Sequence, residues 1–269
     1  MDLPADRSLG RDPHDLLSDR AKKALAEARR TPLSYAVRMY ACPGPRRRIL
    51  VVLGEAHIKL APAEALGREV VGSFELRGVE TFQRKRVFAG RLLGHLIHVP
   101  RLVLRALTLG FVKGSTITEA KQLPSGATVE LERTKAIPMG LHAASLYLTV
   151  FFSLAFFHIA LTALASWFPD LGIGGSALLA WTTLAMLALQ AHMILLVPAY
   201  ALRRERWAWL VHPAIGLVSS RDMLMAEGTV RMFEDHPQYD AAVTVMGRAH
   251  LRGYERELVD KHGFKRIDG

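Results

Sequence analysis

Five consecutive aliphatic residues, Ile49-Leu50-Val51-Val52-Leu53, run without a polar interruption and stop at Gly54-Glu55-Ala56-His57. A short apolar run closed by glycine has the pattern of a buried strand. The arrangement returns near the other end, where Ala241-Ala242-Val243-Thr244-Val245-Met246 leads into Gly247-Arg248-Ala249-His250. Around these two strands the pattern predicts a helix over 19–30, then a strand over 33–41 joined to the first run as a hairpin through Pro43-Gly44-Pro45. A helix from Pro62 to Phe74 and a short strand from Leu76 to Thr81 follow. This strand-helix-strand order implies a parallel sheet and brings Glu80 to the same edge as His57. Further on, 114–126 reads as a loop and 127–132 as a strand. Ser219-Ser220 cap a helix from Arg221 to Phe233, a helix over 251–261 ends at Gly263, and 264–267 adds a last strand. Residues 1–18 show no periodicity and are expected to be disordered.

Between these elements the chain turns apolar. Residues 82–113 form a long helical stretch interrupted by Pro100, with Arg91, His95, His98, Arg101 and Arg105 spaced by three or four along one stripe. Such a stripe fits either a membrane surface or a packed helix with one solvated face. From 136 to 169 and again from 171 to 202 there is no Asp, Glu, Lys or Arg. Each run exceeds the roughly 20 residues that cross a bilayer core. They read as transmembrane helices at about 143–167 and 176–199, joined by a tight turn over 169–175. The alternative is a buried helical hairpin in a soluble protein, against which stand the run lengths and the flanking Tyr147, Trp167, Tyr200 and Trp207. The turn carries no Lys or Arg, whereas the outer flanks carry Arg133, Lys135, Arg203, Arg204 and Arg206. The positive-inside rule therefore puts both soluble segments in the cytoplasm of a multi-pass protein of the cell's inner membrane. The expected fold is an α/β domain with a mixed sheet, built from 19–140 and 203–269 and interrupted by a transmembrane hairpin over 141–202. His158 and His192 differ in depth along the spans and are expected to serve helix packing or hydrogen bonding. Ala143, Ala144, Gly174, Gly175 and Ala177 would permit close helix packing and a homo-oligomer.

Charge and cysteine usage narrow the partners. A net charge of +10 over 269 residues points to an anionic partner, and because the basic residues cluster beside the spans that partner is membrane lipid rather than nucleic acid. The single cysteine, Cys42, excludes an intrachain disulfide framework and lies in a Cys-Pro-Gly-Pro turn without nucleophile features. The first 17 residues lack an apolar core, so no cleavable signal peptide is expected.

The chemistry concentrates at the strand ends. With 21 Gly and 11 His, chance alone supplies about one Gly-x-x-His, so the weight lies in context. Each motif follows an apolar strand and precedes a helix, where glycine permits a sharp turn and a helix N-terminus favours negative charge. Two imidazoles and a carboxylate form an open metal site of the catalytic zinc type, and the ligands expected are His57, His250 and Glu80. Glu55 would act as the base that activates water, and Arg221 or Arg248 would neutralise a developing oxyanion. Without metal, Glu55 and His57 form an acid/base pair, and the plain alternative is that strand-end polar groups satisfy the backbone.

Four stretches, Gly54-Glu55-Ala56-His57, Gly78-Val79-Glu80-Thr81, Arg221-Asp222-Met223-Leu224-Met225-Ala226 and Gly247-Arg248-Ala249-His250-Leu251-Arg252-Gly253, resemble the TraB/PrgY/Tiki family in kind and in order. Tiki-related members are divalent-metal-dependent peptidases and PrgY-like members restrain peptide pheromone signalling from the membrane. The resemblance implies a metallohydrolase-like centre with His57, His250 and Glu80 on a divalent ion (zinc, manganese or cobalt) and Arg221 supporting it. Gly-Glu-x-His is also similar to the ChaN-like and erythromycin-esterase-like branches of the wider superfamily, which include a haem binder and hydrolases thought to work without metal. Two functions follow: a membrane-anchored peptidase or esterase, or a non-enzymatic membrane regulator that binds a peptide, small ligand or haem in the same pocket.

Overall fold

The computed structural model describes residues 13–56, 61–107, 116–203, 205 and 207–267, which divide into two units. A sheet unit takes 13–81, 116–133 and 224–267, and a helical unit takes 82–107 and Thr134–Met223.

In the sheet unit six strands, β1 (Tyr35–Ala41), β2 (Ile49–Glu55), β3 (Leu76–Val79), β4 (Ala127–Glu130), β5 (Ala241–Gly247) and β6 (Lys265–Arg266), lie in the order β4-β3-β5-β2-β1-β6. The sheet is mixed. β2, β5, β3 and β4 run parallel, and β1 is antiparallel to both β2 and β6. Helices α1 (Asp19–Arg29), α2 (Ala61–Gly72) and α4 (Thr116–Gln122) cover one face; the C-terminal part of α8 (Gly216–Asp235) and α9 (Leu251–His262) cover the other. That double cover explains why β2 is apolar from Ile49 to Leu53 and buried throughout. Ile49, Val51 and Leu53 pack towards α1 and α2, whereas Leu50 and Val52 pack towards α8 and α9. Under α9 the buried Tyr254 hydroxyl meets Thr229 Oγ1 at 2.7 Å, so the one polar atom of that ring is paired.

The helical unit holds α3 (Gly90–Leu107), α5 (Met139–Trp167), α6 (Ala177–His192) and α7 (Leu196–Ala201). Both α5 and the α6–α7 run, Ala177–Ala201, are long and apolar enough to cross a membrane. Hydroxyls join them to the two span histidines: His158 Nδ1 lies 3.3 Å from Thr182 Oγ1, and His192 Nδ1 lies 3.1 Å from the Tyr147 hydroxyl. His192 also stacks on His212, their ring centroids 4.7 Å apart. The expected hydrogen-bonding role of both histidines is thus observed.

Several elements differ from the sequence reading. The expected loop at 114–126 contains α4, held by the capture of its first amide and by the burial of Ala120. The helix expected from Arg221 begins at Gly216, with Ser219 inside it donating to the Ile215 carbonyl; it follows a 3-10 turn, Pro213–Ile215, capped by His212, whose Nδ1 accepts the Ala214 amide. The stretch from Phe82 opens with a 3-10 turn, Arg84–Arg86, and becomes helical only at Gly90; 108–113 lie outside the described residues. Of the start expected to be disordered, Pro13–Leu16 form a 3-10 turn and Leu17 is buried against α1; 1–12 lie outside the described residues. The units also divide the chain differently from the expected boundaries, since α3 and 203–223 group with the apolar helices. The cause is packing of α3 on α5, with Leu93 fully buried.

Candidate functional site

Parallel pairing of β2 with β5 sets Gly54 opposite Met246 and Glu55 opposite Gly247. The two Gly-x-x-His motifs, about 190 residues apart in the chain, therefore leave the sheet side by side at its carboxyl edge. Neither glycine uses the left-handed region: Gly247 has φ −62°, and Gly54 is not among the residues of positive φ. Gly54 serves a close approach instead, because a Cβ there would sit 2.4 Å from Leu251 Cδ1, the first residue of α9. The second motif's helix thus packs directly on the first motif's strand.

On the far side of β5, β3 delivers Glu80. Its amide donates to the Val245 carbonyl at 3.0 Å, one Oε accepts the Gly247 amide at 2.5 Å, and the other lies 3.7 Å from His250 Nε2. Both side chains are nearly buried, at 10% and 7% exposure. A gap of 3.7 Å is too long for a hydrogen bond, but one divalent ion taking a nitrogen and an oxygen, each at about 2.0–2.2 Å, spans it. Glu80 and His250, two of the three expected ligands, are thus brought side by side. His57, the third, lies outside the described residues, and among the described residues no three such side chains gather.

Glu55 is fully buried, and its Oε2 accepts the amide of Thr116, the first residue of α4, at 3.0 Å. A carboxylate at that position satisfies an end-of-helix donor. Thr116 Oγ1 in turn lies 3.2 Å from the Tyr35 hydroxyl, which donates to the Ala63 carbonyl at 2.5 Å. Burial, with the Glu55 carboxylate adding and the Thr116 hydroxyl opposing, pushes the Tyr35 phenol up to about 12. Burial pushes Tyr254 upward as well. Below about pH 10 both rings are neutral whether the chain is folded or unfolded. Above that the unfolded chain loses phenolic protons that the folded chain keeps, so stability falls as pH rises from about 10 until Tyr35 ionises at about 12. Denaturant midpoints measured on either side of about pH 10 should show this fall, smaller in Tyr254→Phe; a flat profile contradicts it.

Arg248 donates to the Pro32 carbonyl and, at 3.2 Å, to that of Tyr35, so its observed bonds fasten the β5 exit to the start of β1. Arg221 and Asp222 are buried in the helical unit, where the Arg221 guanidinium lies 5.2 Å from the centre of the Phe82 ring. One acid was missed. Glu132, buried just beyond β4, accepts the Thr81 amide at 3.1 Å and joins Glu55 and Glu80 along the edge. The signal was available: Val79-Glu80 and Leu131-Glu132 both end an apolar strand position with a glutamate.

The edge therefore combines buried carboxylates, one imidazole 3.7 Å from a carboxylate oxygen, and amides already bound to acid side chains. Compared with known proteins, the chain matches no family model, no curated sequence and no solved structure.

Proposed function

We propose that this chain is a membrane-anchored hydrolase of TraB/Tiki type, a peptidase or esterase whose centre is the carboxyl edge of the sheet and faces the cytoplasm. The observation that carries the reading is the approach of Glu80 to His250 beside the strand pair that ends in the two Gly-x-x-His motifs. His57, Glu80 and His250 would hold a divalent ion, zinc, manganese or cobalt. Such an ion, when bound, supplies Lewis acidity at a scissile carbonyl. Glu80 keeps one oxygen on the Gly247 amide and so holds the other towards His250. Glu55 is the proton acceptor of the proposal, and Arg248 its cationic support. The order of the four motifs supports the family assignment.

The chain is anchored by α5 and the α6–α7 run as a transmembrane hairpin of the inner membrane, with both flanks cytoplasmic. In support, only 11% of each apolar window is buried, where a core helix of a soluble protein would be mostly buried. Reporter fusions test the topology: alkaline phosphatase should be active when inserted after Gly174 and inactive after Ile267, and the reverse pattern contradicts it.

A second reading, a non-enzymatic regulator that binds a peptide, small ligand or haem, is favoured by one observation: Glu55 and Arg248 are both engaged with the chain's own backbone. Turnover of a peptide and ester panel by the detergent-purified protein separates the two. A hydrolase loses about 100-fold or more of its rate in Glu55→Gln and in His250→Ala. A wild type that turns over nothing on the panel yet binds one of its members fits the regulator and contradicts the hydrolase.

A further inference from the structure

Helix α3 carries a second apolar surface that the helical unit does not cover. Leu93 faces inward and is fully buried, whereas Leu92, Val99, Leu102 and Val103 are about half exposed, as is Phe88 just before the helix. Residues 92, 99 and 103 are separated by seven and four, which puts them on one stripe. Arg91, His95 and His98 flank that stripe and are exposed as well, and the same basic spacing continues in sequence to Arg101 and Arg105. Between residues 82 and 107 the chain has six Lys or Arg and no Asp or Glu. The helix therefore presents an apolar strip flanked by arginine and histidine, in a segment without acids.

Its place in the unit adds the second argument. The Phe88 amide donates to His142 Nδ1 at 3.1 Å, and His142 lies in the first turn of α5. The start of α3 is thus pinned at the mouth of a helix that, on the reading above, enters the bilayer. A surface at that level which combines exposed leucine and valine with guanidinium groups matches the boundary between acyl chains and anionic headgroups. A second copy meeting this strip about a two-fold axis would bring the segment's six Lys and Arg against themselves, with no acid in the segment to offset them.

We propose that α3 lies along the cytoplasmic membrane surface, its Leu92-Val99-Val103 stripe in the acyl region and its basic flank on anionic lipid headgroups. The inference rests on the transmembrane reading of α5 and α6. The membrane surface thereby becomes a ligand of the helical unit, separate from any substrate of the sheet edge.

Spin labels on the full chain test this. In a Cys42→Ser background, Leu92→Cys, Val99→Cys, Val103→Cys, His95→Cys and His98→Cys are labelled one at a time. Each is reconstituted into phosphatidylcholine vesicles with or without a minor fraction of phosphatidylglycerol. Oxygen and a water-soluble nickel chelate report immersion. Labels at 92, 99 and 103 should be open to oxygen and shielded from nickel, those at 95 and 98 the reverse, and the contrast should grow with phosphatidylglycerol. Replacing Arg91, Arg101 and Arg105 together by glutamine should remove that growth. Labels at Val150→Cys on α5 and Leu184→Cys on α6 separate the two claims. If these controls are immersed while positions 92, 99 and 103 are open to nickel, the α3 proposal alone is overturned. If the controls themselves are open to nickel, the hairpin reading fails and takes the α3 proposal with it. Identical profiles in neutral and anionic vesicles overturn recognition of anionic lipid, and spin-spin broadening at Val99→Cys assigns the strip to a second copy.

Discussion

Glu80→Ala is expected to cost about 3 kcal/mol of unfolding free energy and to leave the sheet edge unable to hold His250 in register with the Gly-x-x-His strands. The cost follows from what the carboxylate does. It accepts the amide at the end of β5 and faces His250, and the alanine variant would strand a nearly buried N–H and remove the charge beside the imidazole. The two consequences can be separated. Glu80→Gln keeps an oxygen for the Gly247 amide and gives up only the charge, so its cost should be about 1 kcal/mol. Chemical denaturation in detergent, followed by tryptophan fluorescence and far-ultraviolet dichroism, reads both. An alanine variant as stable as wild type would mean that the Gly247 bond contributes nothing and that Glu80 does not organise the edge.

The other large effect is steric. A Cβ on Gly228 would stand 1.9 Å from the Leu131 carbonyl oxygen and 2.6 Å from its carbon. This is backbone against backbone, and Leu131 is itself tied to β3 by its amide bond to the Val79 carbonyl. Within the sheet unit the C-terminal part of α8 can therefore approach β4 only with glycine at this position. Alanine gains about 1 kcal/mol of helix propensity, but forcing the helix away from the sheet costs about 3 kcal/mol or more, so the net effect of Gly228→Ala is destabilising by about 2 kcal/mol or more. Gly174→Ala, with nothing near the added methyl, is the control and should be close to neutral. A Gly228→Ala protein that unfolds at or above the wild-type midpoint would show that α8 does not pack against β4 at this distance.

The legible parts of the fold are those in which one short segment carries its own signal. β2 and β5 stand out because strands covered on both faces are apolar at consecutive positions, and the strand-helix-strand order from β2 to β3 is enough to send Glu80 to the same edge as Glu55. The α5 and α6 runs stand out by length and lack of charge. What was hidden depends on partners far away in the chain. The seven residues of α4 have no helical period of their own, and the amide that starts the helix is held by a carboxylate 61 positions earlier. Glu132 shares with Glu80 its place after an apolar strand residue, but its partner, the Thr81 amide, is evident only once β4 lies beside β3. Arg248 followed a glycine and preceded a histidine, which suggested a role in charge neutralisation; the carbonyls of Pro32 and Tyr35 that it binds lie more than 200 residues away. The role of Gly54 was hidden for a similar reason, since a glycine kept small for Leu251 looks the same in sequence as one kept for a turn.

The central claim is that two motifs from opposite ends of the chain build one metal-holding centre with Glu80. Elemental mass spectrometry on detergent-purified protein, prepared without chelator, tests it most directly, with wild type compared to His57→Ala and His250→Ala. The account expects close to one zinc, manganese or cobalt per wild-type chain and loss of that metal in both variants while they retain the wild-type dichroism spectrum. Wild-type protein free of transition metal, or metal retained when either histidine is removed, would contradict it.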